Sequence, residues 1–583
     1  LLQRIRDQAA ACDVLVVEGV GGLLVPLDDR ATVAALFRRL DAATLVVARA
    51  GLGTINHCVL TCESCRAHGL RLLGVVFTDS EGVDPAFAEE NARQVSAQSG
   101  VTVFGILPHL ADGGDVPALA SAFKEHVDAR AILDAARAAY AGRDAVVAAD
   151  LRHVWHPFTA SLEWRSEEHL VIRSGDGCWL VDEDGRRYLD GVGSLWANVH
   201  GHAHPALDRA LHEQAGRVAH STFLGQTHAP GALLAAELSA VTPAGLDRVF
   251  FSEAGASAVE VALRIALLAQ GRRGNGARSR FVSLEEAYHG DTAGAVSVGR
   301  SEPFHRGLDP LLFDVMRVPS PHAAGEDRSL QALREALAAH GDTLVALVVE
   351  PRIQGAAGML PHSDEWLRAA MRAARDAGLL VVCDEVATGF GRTGDLFACA
   401  GAGVVPDILV LGKGLSGGYL PLSATVVRDE VFDLFSGAYE EHRTLYHGHT
   451  YSANPLACAV ARASLRLFES DGTIARARGL AQRLESGLAE IARLRAVFEV
   501  RRRGVMCGIE LRGPHGVRFP ERCRVGRAVS LVARRRGVIV RPLGDVVVLN
   551  PPLVMSDAEA DLLLSAVAEA IEEVTPSLLA AAV

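Results

Sequence analysis

The chain has 583 residues, 49% of them hydrophobic and 22% charged, with a net charge of −12. At roughly 150 residues per domain this is about three to four domains' worth of globular chain, which excludes disordered, collagen-like and disulfide-scaffold classes. The acidic balance argues against a nucleic-acid or acidic-membrane binder, ten cysteines suit a reducing cytoplasm, and no apolar run reaches the ~18–20 residues of a membrane helix.

The chain opens Leu-Leu-Gln-Arg without an initiator methionine and runs quickly into CDVLVVEG, so a fragment that starts inside a domain is expected at this end. The β-branched runs VLVVEG (14–19), ATLVVARAG (43–51), LLGVVFTDS (72–80) and VTVFGILP (101–108) predict buried parallel strands. Helical stretches between them predict a doubly wound α/β unit. Cys58, Cys62 and Cys65 have the C-x3-C-x2-C spacing of an iron–sulfur ligand set. Offsets of four and three on one predicted helix equally make them core thiols, the preferred reading. An Ala- and Arg-rich helical stretch over 118–144 precedes LRHVWHPFT (151–159), where the pattern resets. Domains are therefore expected at 1–147 and 148–583.

The second part predicts strands at RVFFSE (248–253), RFVSLE (280–285), LVALVVEP (344–351), LLVVCDEV (379–386) and DILVLGK (407–413). A smaller α+β portion follows, with VMCGIEL (505–511), GVIVRP (537–542) and VVVLNPP (546–552). His200, His202 and His204 read as a loop lining the active site rather than a metal set, and no metal is expected in this part.

Glu350, Asp384 and Lys413 each end an apolar strand, and in open α/β sheets ligands bind outside the carboxyl ends of strands. Of 58 basic residues only Lys124 and Lys413 are lysine. Arginine serves an ion pair as well but cannot be deprotonated to a nucleophile, so a lysine kept here predicts a Schiff base with an aldehyde cofactor.

The string DEVATGFGRTGDLFACAGAGVVPDILVLGKGLSGG (384–418) resembles the signature of class III, fold-type I pyridoxal-phosphate aminotransferases, and the likeness extends over 151–575. It implies a large α/β domain plus a smaller α+β domain, and Lys413 as the residue that holds pyridoxal 5'-phosphate and moves the substrate proton. It further implies Asp384 at the pyridine nitrogen, Tyr288 stacked on the ring with His289 beside it, and Glu350 lining the site. The turn at Ala254, Gly255 and Ala256 would bind the phosphate on backbone N–H groups. In HGHTYSANPLA (447–457), Gly448, His449 and Thr450 match the segment that reaches a partner's cofactor, which implies a homodimer. Ser257 is a further candidate for the phosphate.

Within class III, HVWHPFT (153–159), DGVGSLWANVHGHAHP (190–205), STFLGQTHAP (221–230) and GVIVRPLGDVVVLNPP (537–552) are similar to the 7,8-diaminopelargonic acid aminotransferases of biotin biosynthesis. That likeness implies 8-amino-7-oxononanoate as acceptor and S-adenosylmethionine as donor. Phe158, Leu195, Trp196, Tyr288, Gly448 and Arg541 would bind substrate, Arg541 through its carboxylate. Phe158 stands where the family has tyrosine, Leu195 where it has tryptophan, Ala254 where it has serine, and Val548 where it has tyrosine.

CDVLVVEGVGGLLVPLD (12–28) and AGLGTINHCVLT (50–61) resemble dethiobiotin synthetase, which implies Glu18 as a magnesium ligand and Thr78 at the nucleotide base. That synthetase needs a G-x-x-x-x-G-K-[ST] loop, absent here, so ATP and Mg²⁺ are expected only for a complete domain. The reading is a cytoplasmic aminotransferase in a bifunctional-type fusion with a truncated synthetase domain. The alternatives are a broad ω-amine aminotransferase, a ligase acting through the first domain, or a first domain serving as scaffold.

Overall fold

A computed structural model describes residues 1–9, 11–12, 14–19, 21–28, 31–110, 115–139, 142–302 and 304–581. The chain divides into two compact units, 1–174 with 182–185, and 175–181 with 186–583.

In the first unit, β1 (Ala43–Arg49), β2 (Arg71–Thr78) and β3 (Thr102–Leu107) form a parallel sheet in that order. Alternation along β2 sends Val75 and Phe77 to one face and Val76 to the other. Val75 and Phe77 pack against helices Thr54–Ala67 and Pro85–Ser99, and Val76 joins Phe104 and Val127. The expected strand at 14–19 is not formed: the stretch is irregular, with Val14 and Val16 63% and 86% exposed. An apolar run becomes a strand only where a neighbour satisfies its N–H and C=O groups, and none among the described residues does so. Cys58, Cys62 and Cys65 are buried on one face of their helix. Burial raises all three thiols, Cys65 to about 11. They lie in the core as apolar groups.

The second unit is built on a seven-stranded sheet. Its strands are β4 (Leu246–Ser252), β5 (Arg280–Leu284), β6 (Val315–Val318), β7 (Leu344–Val349), β8 (Leu380–Asp384), β9 (Ile408–Leu411) and β10 (Ser423–Arg428). They lie in the order β4-β10-β9-β8-β7-β5-β6, with β10 antiparallel to both its neighbours. Every residue of β7 is buried, as a strand covered on both faces by helices requires. Its register pairs Leu347 with Val381 of β8, and β8 pairs Cys383 with Leu409 of β9. Three parallel neighbours thus end side by side. The expected α/β and α+β architecture is borne out.

The smaller sheet runs β11 (Val497–Arg503), β12 (Met506–Leu511), β14 (Val546–Leu549), β13 (Arg541–Leu543), all antiparallel. The expected strand at 537–542 is split. Val538–Ile539 pairs in parallel with Arg187–Asp190, whereas Arg541–Leu543 pairs with β14. The chain changes sheets at Val540, just before Pro542, which has no N–H to give a ladder. Among the described residues no helix is long and apolar enough to cross a membrane.

Thiol accessibility tests this packing. Cys12 is exposed and Cys523 half-buried, while the other eight cysteines are buried. A water-soluble thiol reagent is expected to label the first two in the native protein and the eight only after denaturation, counted by mass spectrometry. Rapid native labelling of Cys62 would contradict the core described here.

Candidate active site

The site begins with the strand order. β7, β8 and β9 are parallel neighbours, and Glu350 and Lys413 follow β7 and β9 while Asp384 closes β8. All three residues therefore sit at the carboxyl ends of adjacent central strands. Glu350 is buried and held by backbone alone, its Oε1 accepting from Gly355 N at 2.9 Å and its Oε2 from Tyr288 N at 3.3 Å. Burial pushes its carboxyl up to about 7, helped by Asp384 and opposed by His289. Asp384 is also buried. Its Oδ1 accepts from Val386 N at 3.0 Å and its Oδ2 lies 2.7 Å from His289 Nδ1. Burial alone would drive the His289 imidazolium down, but the hydrogen bond and charge of Asp384 outweigh it and the pKa is raised.

Lys413 opens a 3₁₀ turn with φ 40°. Its half-buried amine lies 5.4 Å from the Trp196 ring centroid, and among the described residues no hydrogen bond or ion pair holds it. Burial lowers its pKa, with Arg392 and Arg541 in the same sense, while Asp384 and Glu350 resist. The result is an amine closer to its neutral, nucleophilic form.

Trp196 reaches the lysine from an unusual turn. Gly193, Ser194, Leu195 and Trp196 all have positive φ, from 44° to 67°. The turn is hydrogen-bonded, Trp196 N to Val192 O and Ala197 N to Gly193 O. A left-handed turn costs about 1–2 kcal/mol per non-glycine residue, so its surroundings must impose it. Trp196 is buried against Ile353, Met359, Met506 and Val548, while Leu195 is half-exposed.

Tyr288 stacks its ring on His305, with centroids 5.8 Å apart and planes 16° from parallel, and its hydroxyl donates to Asp291 Oδ2 at 2.8 Å. Arg541, on β13, stands opposite Val548 of β14 in the ladder, and burial lowers its pKa while Tyr288 acts in the opposite sense. The helix Gly255–Arg272 starts at Ala254 with no side-chain cap, leaving its first-turn N–H groups open. The hydroxyl of Ser257 is already given to Glu253 Oε1 at 3.0 Å, and Glu253 Oε2 pairs with His449 Nδ1 at 2.9 Å. Gly448 and Thr450 lie exposed on the same loop as His449.

Arg392, within the GFGRTG run, is a buried hub to which no sequence signal gives a role. Its Nη1 donates to Asn550 Oδ1 at 3.1 Å and Pro551 O at 2.5 Å, and its Nη2 to Asn198 O at 2.8 Å. Burial pushes this guanidinium down to about 9. The histidines of the HGHAH run have structural partners. His200 meets Ser464 Oγ at 3.0 Å, His202 meets Asp190, and His204 caps the helix Pro205–Ala215. Phe158, Glu18 and Thr78 belong to the first unit: Phe158 is 57% exposed, Glu18 lies on the exposed 14–19 stretch, and Thr78 ends β2.

These groups suit a cofactor with an aldehyde, a basic ring nitrogen and a phosphate. They offer a half-buried amine without an ion pair, a buried carboxylate backed by histidine, and an open helix start. The family description aminotransferase class-III matches residues 162–571, and an AAA domain description matches 1–115. An adenosylmethionine-8-amino-7-oxononanoate aminotransferase from Nitratidesulfovibrio vulgaris is 49% identical over 73% of this chain and 81% of its own. The crystal structure of the enzyme of that name from Methanocaldococcus jannaschii superposes with TM-score 0.72 at 38% identity, covering 74% of this chain and 100% of that one. An (S)-enantioselective ω-transaminase from Thermomicrobium roseum gives TM-score 0.72 at 34% identity, covering 75% and 99%.

The raised Glu350 carboxyl has a consequence for stability. Its folded pKa of about 7 exceeds the ordinary 4.5, so the proton favours the folded state. Its contribution is full below the ordinary value and is lost as pH rises toward the folded one. The urea midpoint of Glu350→Gln relative to the parent is expected to rise over that interval, and a constant difference would refute the shift.

Proposed function

The chain belongs to the class III aminotransferases, and on that premise we propose that it transfers an amino group to 8-amino-7-oxononanoate, giving 7,8-diaminononanoate, with S-adenosylmethionine as donor. The observation that carries the chemistry is Lys413, one of two lysines among 58 basic residues, with no ion pair among the described residues although the charge of Asp384 acts on it. The substrate reading is supported by the names of the relatives and by Arg541, whose charge is felt at Lys413.

The family implies pyridoxal phosphate, which when bound supplies an aldehyde for amine exchange and a ring that stores an electron pair. Lys413 would be the base that takes the proton from the substrate carbon bearing the nitrogen and delivers it across that nitrogen. Asp384, oriented by His289, holds a proton at the ring nitrogen. Tyr288 and Trp196 bound the reacting volume, Glu350 and Gly255–Ala256 contribute backbone-anchored polarity, and Arg541 takes the substrate carboxylate. Gly448, His449 and Thr450 are offered to a second copy of the chain, in a cytoplasmic homodimer. Residues 1–147 form a synthetase-like part that uses ATP and Mg²⁺ only when complete, through Glu18 and Thr78, and 148–583 the transferase. A second reading, an ω-amine aminotransferase, is favoured by the half-exposed Leu195 and by the ω-transaminase likeness.

The experiment is the visible absorbance of the cofactor-loaded protein on adding 7,8-diaminononanoate, ornithine, γ-aminobutyrate or β-alanine. Bleaching by the diamine alone is expected, and bleaching by ω-amines but not the diamine would support the second reading. Lys413→Ala is expected to lose more than about 1,000-fold in turnover; substantial residual activity would remove the proposal.

A further inference from the structure

The left-handed turn that carries Trp196 to Lys413 is held by more than its own backbone hydrogen bonds. Asp190, fully buried at the end of the strand Arg187–Asp190, binds it from below. Its Oδ1 accepts from Ser194 N at 3.1 Å and Val192 N at 3.3 Å, and its Oδ2 accepts from Ser194 Oγ at 2.8 Å. The fourth bond is from His202 Nε2 at 3.0 Å. Because His202 Nδ1 accepts from the Asn198 amide at 3.1 Å, Nε2 carries the ring proton and donates it. Asn198 in turn closes the far end of the turn, its carbonyl taken by Arg392 and its Oδ1 by Gly201 N at 2.7 Å.

The turn has no room to relax elsewhere. A Cβ on Gly193 would stand 3.0 Å from Arg392 Nη2, and one on Gly418 would stand 2.8 Å from Asn198 Cα. Gly418 lies five residues beyond Lys413, so the same braced segment abuts the lysine loop. Trp196 itself rests over Gly355, where an added Cβ would lie 3.1 Å from the indole.

We infer that Asp190, seconded by His202, is a positioning residue for the transfer reaction: it imposes the left-handed turn and thereby sets Trp196 as the wall beside Lys413, without touching substrate. This rests on the site reading given above. The Asp190 carboxylate takes four donors, binding the start of the turn directly and its far end through His202 and Asn198.

The test is a double-mutant cycle in the cofactor-loaded full chain, Asp190→Asn against Trp196→Phe, using whichever amine the parent turns over fastest. Failure of the substrate assignment therefore leaves the cycle readable. Asp190→Asn in the parent is expected to lower kcat/KM by about 100-fold while cofactor affinity and cooperative thermal unfolding are retained. In the Trp196→Phe background the same change is expected to cost under about threefold. The Trp196 fluorescence, taken as parent minus Trp196→Phe without cofactor, is expected to shift when Asp190 is replaced. Equal losses in both backgrounds, or no loss and no shift in the parent, would overturn the proposal. Should Asp190→Asn fail to fold, Ser194→Ala removes only one of the bonds and is expected to show the same background dependence at about tenfold; its absence overturns the proposal as well.

Discussion

The site depends on keeping a lysine amine and two carboxyl groups in one buried crevice without letting them neutralise one another. In a low-dielectric interior an adjacent Lys and Asp ordinarily pair, and the pair then has no free amine to offer. Here Asp384 is taken by His289 and Val386 N, Glu350 by two backbone amides, and the Lys413 amine is left against an aromatic face. Each carboxylate is satisfied by something other than the lysine. That arrangement requires three adjacent parallel strands with fixed register, and the rest of the second unit supplies them.

Much of this was readable from residue order. The apolar runs of β7, β8 and β9 announce buried parallel strands, and a polar residue at the end of each identifies the crevice. The count of two lysines singles out Lys413 without any structure. What could not be read is side-chain partnership across distance. His289 as the support of Asp384, Arg392 as a hub, and Asp190 under the Trp196 turn involve residues 95 to 194 positions apart or a backbone conformation that only Gly193 hints at. Tyr288 shows the same limit, since its ring is stacked on His305, a residue with no periodic or motif signal.

The first unit shows where pattern reading fails for a physical reason. The run at 14–19 has the composition of a strand, but composition does not supply a neighbour for its hydrogen bonds, and Val14 and Val16 face solvent. The three cysteines show the converse: a spacing that suits a metal cluster also suits one face of a helix, where all three are buried and Cys58 and Cys62 join the core with Val75, Phe77 and Val95. In both cases the neighbouring element decides the outcome.

Arg392 also ties together parts of the chain that are far apart in sequence. The acceptor of its Nη2, Asn198 O, lies 194 residues before it, and the acceptors of its Nη1 lie 158 and 159 residues after it, so a chain that ends before Asn550 leaves Nη1 without those acceptors and its burial only partly compensated. The same guanidinium therefore joins the pocket wall at 193–198 to the segment that follows the last strand of the small sheet, so a change at Asn550 or Pro551 reaches the wall beside Lys413 through one side chain.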